Sequence, residues 1–270
     1  MYKEKQAGLI KQFEGINASK IFVHSDSFKT LQLIKIRPNK NEILEGHVKL
    51  LESLVDTDGL ILPAFNYQFP KEKVFDLYNT KSEVGHIPEF YRSKVSTWRN
   101  HDPMFSVCGT GDSPIKNKAE ICPFDDESIF SHLVRDNGHI IFYGASIKSA
   151  TIIHYAEFLS NVAYRYWKKF NGELIVDNEK NKLTLNSHFR PIRRHLDYNW
   201  SKIKSELEAE GILKHYNPTV MGVDAKMLMD FWCNKLSYDH LYLLDDVSRA
   251  WVEPMLEYLG RPFLAKDFED

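Results

Sequence analysis

IFVHSDSFKTLQLIKIRPNKNEILEGHVKLLESLVDTDGLILPAF, residues 21–65, reads as strand, helix, strand. Ile21 to His24 form a short apolar run that ends in the polar turn Ser25-Asp26-Ser27, the pattern of a buried strand entering a loop. From Asn41 to Leu54, the residues Ile43, Leu44, Val48, Leu51 and Leu54 recur at helical spacing on one face. A second apolar run, GLILPAF, starts at Gly59. Two strands joined through a helix favour parallel pairing, because a parallel partner needs a long crossover.

The same alternation continues outward. FSVCG (Phe105 to Gly109) and HIIFYG (His139 to Gly144) are further strand candidates, separated by a helical stretch from Glu127 to Arg135. Ahead of them, Lys3 to Phe13 carries Leu9, Ile10 and Phe13 on one helical face. The expected fold is α/β, a central mostly parallel sheet flanked by helices. From Gly172 the character changes. ELIV and KLTLN suggest a hairpin around Asn178-Glu179-Lys180-Asn181, and Trp200 to Glu210 and Asp224 to Leu236 read as helices. This predicts a mixed α+β subregion over 171–270 attached to an α/β core over 1–170, with no Pro/Gly/Ser linker between them and hence one compact domain over 1–270. The closing stretch, DVSRAWVEPMLEYLGRPFLAKDFED, has an apolar pattern at Val252, Met255, Leu256 and Leu259 that suits either core cover or a subunit contact, so monomer and homodimer both stand.

The 270 residues are enough to bury a substantial core. A hydrophobic fraction of 43% with 17 Phe and 13 Tyr excludes a disordered chain. Net charge is −2, which argues against nucleic acid or an anionic membrane as partner and points to small-molecule substrates. The amino-terminal MYKEKQAGLIKQFEGINASK interleaves Lys and Glu with its apolar positions, unlike a signal peptide. No apolar run approaches the roughly 20 residues of a membrane helix. Cys108, Cys122 and Cys233 are widely spaced, as free thiols of a reducing compartment are. A cytoplasmic protein without a metal site is expected.

The chemistry concentrates in GASIKSATIIHYAEF, Gly144 to Phe158. Gly144 closes a strand, Ser146, Ser149 and Thr151 make a hydroxyl-rich turn, and TIIHYAE has helical character. On a helix, Thr151, His154 and Glu157 fall along one stripe, at the carboxyl end of a strand, where open α/β sheets bind ligands. Acyl transfer from a thioester to an amine needs a proton acceptor and a donor to the tetrahedral oxyanion. His154 suits the first role. Glu157 can fix its tautomer, and Thr151 or backbone amides can meet the oxyanion. A partly buried helix histidine beside a solvated Glu gives the same spacing. Metal binding lacks the HExxH pattern and any nearby Cys, which leaves a metal-dependent hydrolase using His154 and His24 as a remote alternative.

An ordered series of motifs resembles the aminoglycoside 3-N-acetyltransferase family over most of the chain. The series is VHSDSF with His24 and Ser25, DGLILPAFNY ending in Tyr67, SEVGHIPEFYR with Gly85, Glu89 and Arg92, WRNHDPMFSVCGTG with Arg99, Pro103 and Ser106, PFDDESIFSHL with Ser128, and ATIIHYAEF. The resemblance implies that fold, an acyl-CoA co-substrate (acetyl-CoA or a short hydroxyacyl-CoA), and His154 as the catalytic base. It implies a CoA cleft built from His24, Ser25, Arg99, Ser106 and Ser128 near Gly144, with Glu89 and Tyr67 on the acceptor side. Arg99 can pair with a CoA phosphate. Asp102 stands where many relatives carry His, Asp26 where they often carry Ser, and Asp125 where they carry Gly.

Aminoglycosides are polycations, which acidic clefts bind best. Here 35 basic residues face 37 acidic ones, which favours a nucleotide-linked amino sugar of surface polysaccharide biosynthesis over an antibiotic. NVAYRYWKKF, Asn161 to Phe170, offers Tyr164, Arg165, Tyr166, Trp167, Lys168 and Lys169 for such a diphosphate, with Arg165 as the leading contact. The same residues also fit an amphipathic helix end. RPIRRH, Arg190 to His195, is a second candidate. The alternatives are an aminoglycoside 3-N-acetyltransferase and a nonenzymatic acyl-CoA or nucleotide-sugar binding protein.

Overall fold

A computed structural model describes residues 2–16 and 18–269. In chain order the elements are α1 (Tyr2–Phe13), β1 (Lys20–Ser25), α2 (Lys40–Glu52), β2 (Leu60–Pro63), α3 (Phe69–Glu72), β3 (Val74–Asp76), α4 (His86–Lys94), β4 (Trp98–Arg99), β5 (Val107–Gly109), β6 (Glu120–Ile121), α5 (Ile129–Arg135), β7 (Gly138–Tyr143), α6 (Ile153–Leu159), β8 (Tyr166–Val176), β9 (Glu179–Phe189), α7 (Trp200–Ala209), β10 (Lys214–Asn217), β11 (Val220–Asp224), α8 (Ala225–Tyr238) and α9 (Asp246–Leu259).

Seven strands form one sheet in the order β10-β11-β7-β1-β2-β5-β4. Its centre, β7-β1-β2, is parallel. Both flanks are antiparallel, so the sheet is mixed and not mostly parallel. On one flank β5 pairs antiparallel with both β2 and β4, and on the other β11 pairs antiparallel with both β7 and its hairpin partner β10.

Helices cover both faces, and the strand sequences show why. Ile21, Val23, Leu60, Leu62, Ile141 and Tyr143 point to one side, where they pack with Leu9, Phe13, Leu44, Val48 and Leu51 of α1 and α2 and with Ile87 and Tyr91 of α4. Phe22, Ile61, Ile140 and Phe142 point to the other and pack with residues of α5, α6, α7 and α8, including Leu133, Ile153, Leu207 and Trp232. Every residue of β2 and β7 is buried. Two-sided burial is what makes these strands continuous apolar runs.

A second sheet, ordered β3-β8-β9-β6, is built on the long β8-β9 hairpin. Its turn is Asp177-Asn178, both with positive φ (51° and 66°), the two-residue geometry that suits strand twist. It lies just ahead of the expected turn at 178–181. The hairpin also starts earlier, so Tyr166 to Phe170 is strand and not the end of a helix. The boundary expected near residue 170 does not divide the main sheet, since β10 and β11 from the carboxyl-terminal part complete it beside β7. Among the described residues no helix is long and apolar enough to cross a membrane.

Candidate active site

The parallel strands β1 and β7 deliver their carboxyl ends, His24-Ser25 and Gly144, to one edge of the sheet. Gly144 has φ +74°, and a Cβ there would lie 2.6 Å from the Asp26 carbonyl oxygen. Only glycine lets the chain turn so close to the loop after β1. The turn leads through Ser146, whose Oγ accepts from the Lys148 amide, into α6. That helix begins at Ile153, so Thr151 precedes it and does not share a helical stripe with His154 and Glu157. Thr151 still lines the cleft, with its hydroxyl donating to the Ser149 carbonyl at 3.3 Å.

A cleft of about 570 Å³ opens here between the two sheets. His24, Ser25, Tyr67, Thr151, His154 and Arg165 line it together with Phe65, Phe105, Phe124, His188, Arg190, Asp197, Tyr198 and Trp200. Four of the expected CoA and acceptor contacts do not line it. Arg99 is buried and fully engaged: Nε donates to Ser106 Oγ, Nη1 to the Leu77 and Thr80 carbonyls, and Nη2 to the Ala64 carbonyl. Ser106 Oγ in turn donates to Ala64. Neither lines the cleft, because a guanidinium buried without these acceptors could not be accommodated. Ser128 caps α5 by accepting from the Ser131 amide and faces a separate small hollow. Glu89 holds Arg92 in a two-point ion pair and accepts from the Ser82 amide, away from the cleft. Asp102, the departure from the family pattern, is buried and caps its own turn through the Met104 and Phe105 amides.

Arg165 is in the cleft wall but only 6% exposed, and its partners are protein groups. No other residue of NVAYRYWKKF lines the cleft. Lys168 pairs with Glu269, Lys169 with Glu120, and Trp167 stacks on His188. Of RPIRRH, Arg190 lines the cleft, Arg194 lies over Trp251, and His195 pairs with Asp245.

Three polar side chains gather at His154. Its Nδ1 lies 2.8 Å from Glu157 Oε2. Glu157 is completely buried, and its carboxylate also accepts from Tyr198 at 2.9 Å and faces Arg165 Nε at 2.7 Å. Burial alone would push this carboxyl up; the Arg165 charge and the His154 contact more than offset it and bring it to about 2. An ionised carboxylate can only accept, so Nδ1 of His154 carries the proton. Nε2 is then the free lone pair, on a side chain that keeps 24% exposure. Burial and the Arg165 cation lower the His154 pKa, and Glu157 opposes them. The imidazole is therefore a neutral base. Phe124 meets its ring edge to face at 5.3 Å and limits its rotation.

Tyr198 is the residue that sequence reasoning missed. It lies 44 positions from His154, just before α7, and no local pattern marks it. On the strand side, His24 Nε2 and Ser25 Oγ are buried without a partner. Burial drives the His24 pKa down to about 3, so it is neutral there. Two orphaned polar groups beside a hydroxyl-rich turn suit a ligand rich in amides and oxygens. Among the described residues no group of three or more His, Cys, Asp or Glu side chains could hold a metal ion.

Residues 23–236 match the family model described as aminoglycoside 3-N-acetyltransferase. The aminoglycoside N(3)-acetyltransferase VII of Streptomyces paromomycinus is 26% identical over 100 residues, 36% of this chain and 34% of that protein. The alignment thus spans about a third of that curated relative's length. Among solved structures, the aminoglycoside acetyltransferase AAC(3)-IVa apoenzyme is similar with a TM-score of 0.64 at 15% identity, over 89% of this chain and 91% of that one. AAC-IIIb in its binary complex with CoASH gives a TM-score of 0.67 at 16% identity, over 86% and 96%. At these identities the structural likeness is one of fold.

Proposed function

Because this chain belongs to the aminoglycoside 3-N-acetyltransferase family, we propose that it transfers an acetyl group from acetyl-CoA to an amino group of an aminoglycoside-type amino sugar. The observation that carries this reading is the His154-Glu157 pair, with the Nε2 lone pair of His154 left for the cleft. The acceptor nitrogen attacks the thioester carbonyl while Nε2 takes its proton. Collapse of the tetrahedral adduct forms the amide and breaks the carbon–sulfur bond. The imidazolium, stabilised by Glu157, then returns the proton to the leaving thiolate. No covalent acyl-enzyme is needed, and the cleft lining includes no cysteine.

The donor thioester fits the strand-end side, where His24, Ser25 and the turn at Ser149 to Thr151 supply polar partners and Lys148 an exposed cation. The acceptor fits the opposite wall of Arg190, Asp197, Tyr198 and Trp200. The intact base and its carboxylate favour an enzyme over a binding protein that has lost its chemistry.

The nucleotide-linked amino sugar expected from charge balance remains as a second reading. Its support is the cleft lining itself, where Asp197 is the one exposed carboxylate beside Lys148 and Arg190. The family description and the curated relative, an aminoglycoside acetyltransferase by name, rank the first reading above it. Release of free CoA thiol from acetyl-CoA, measured with an aminoglycoside, a simple amino sugar and a nucleotide-linked amino sugar in parallel, tests both. Turnover with the aminoglycoside supports the first reading, and turnover confined to the nucleotide sugar replaces it with the second. No thiol release with any amine removes both.

A further inference from the structure

A buried carboxylate next to a histidine ordinarily favours the imidazolium, because the ion pair is stronger than the neutral contact in a low-dielectric site. That poses a difficulty for a general base, which must arrive unprotonated. In this protein a second charge occupies the same spot. Arg165, just ahead of β8, places Nε 2.7 Å from Glu157 Oε2 and Nη2 3.1 Å from His154 Nδ1. Nη2 donates to the Tyr198 hydroxyl at 2.7 Å, and Nη1 to the His188 carbonyl at 2.9 Å. These anchors come from three different segments, so the guanidinium has little freedom to leave.

We infer that Arg165 is the positioning residue of the His154-Glu157 pair: it fixes the carboxylate that orients the imidazole, and its charge cancels that carboxylate's field so that the Nε2 lone pair stays open to the amine. The inference rests on the acyl-transfer reading for its purpose, but not for its geometry. The charged and titratable groups facing His154 are Glu157 on α6, Arg165 ahead of β8, His188 and Arg190 around the end of β9, and Tyr198 ahead of α7. His188 is held neutral, its pKa lowered to about 4 by burial and by Arg165. One anion is therefore set against two cations. A substrate-anchoring role for Arg165 is excluded by its burial and by the protein partners on both terminal nitrogens.

The test compares wild type, Arg165→Lys and Arg165→Gln by NMR titration of the histidines, with the His154 signal identified by its loss in His154→Gln, and by the pH profile of kcat/KM. In Arg165→Gln the His154 pKa moves up by about one unit or more, the usual size for removal of a close like charge. The acid limb of kcat/KM moves up with it, so the rate on that limb falls about tenfold relative to the plateau. Arg165→Lys, which keeps the charge, stays closer to wild type. A folded Arg165→Gln whose His154 titrates as in wild type, or lower, overturns the inference and leaves Arg165 a purely structural residue. Should Arg165→Gln fail to fold, Glu157→Gln is compared with Glu157→Gln/Arg165→Gln, which buries neither charge. Loss of the arginine must again raise the His154 pKa, and no rise overturns the inference. Because the titration needs no substrate, absence of acyl transfer by wild type sinks the proposed function without touching this result.

Discussion

Glu157 Oε2 sits 2.8 Å from Nδ1 of His154 on the same seven-residue helix, with its carboxylate fully buried and its other contacts made by Tyr198 and Arg165. The arrangement decides which ring nitrogen is basic. Glu157→Gln preserves shape but replaces a pure acceptor by an amide that can also donate, so the tautomer is no longer fixed. Turnover is expected to fall by about 10²-fold or more, with the KM for acetyl-CoA nearly unchanged, in steady-state thiol release. A drop confined to KM would show that Glu157 serves binding.

His154→Ala removes the base itself. The expected loss in kcat is about 10² or more, the ordinary size of general-base catalysis, with acetyl-CoA still bound in calorimetry. Unchanged turnover would take His154 out of the mechanism.

Much of this was legible in the sequence, for identifiable reasons. The parallel centre of the sheet shows because β1, β2 and β7 are buried on both faces and so are written as unbroken apolar runs. His154 and Glu157 show because both lie on one short helix after a strand end. Arg99, Ser106, Ser128 and Glu89 misled because a motif marks a residue as important without saying whether it meets a ligand or the chain. Arg99 is placed by three segments at once, through Ala64, through Leu77 and Thr80, and through Ser106. The basic run after α6 misled because its acids, Glu120 and Glu269, lie far off in sequence. Tyr198 had no signal at all, since its role exists only once the segment ahead of α7 docks beside α6.

Tyr198→Phe tests that docking. The hydroxyl donates to Glu157 and accepts from Arg165 Nη2, so its removal leaves a buried charge network short of one partner at each end. The cost is about 1–3 kcal/mol, read as a lower Tm, with a smaller loss in kcat than for Glu157→Gln. An unchanged Tm would place the hydroxyl outside the network.

Acid stability follows from the buried histidines. Burial lowers His24 to about 3 and His47, His139 and His188 to about 4. In the unfolded chain each titrates at its ordinary value near 6.5. Below that pH the unfolded state binds protons that the native state refuses, so stability falls as pH drops from about 6.5 towards 4. Glu157 adds a second loss lower down, as pH falls from the ordinary carboxylate range towards about 2. Denaturant unfolding at a series of pH values should show a steep decline across the histidine window. A flat profile there would mean that these rings are protonated in the folded protein.

Arg99→Met separates scaffold from substrate contact. If Arg99 held a CoA phosphate, the variant would raise the KM for acetyl-CoA and leave stability nearly intact. The structure gives the opposite expectation. Met fills a similar volume but leaves the Leu77, Thr80 and Ala64 carbonyls without their donor, at about 2 kcal/mol or more. A Tm lower by on the order of 5 °C should follow for a chain of this size. The KM for acetyl-CoA, measured well below the new Tm, should stay within about twofold of wild type, since removing a direct charged contact to phosphate would shift it by tenfold or more. A large KM effect with an unchanged Tm would return Arg99 to the CoA site.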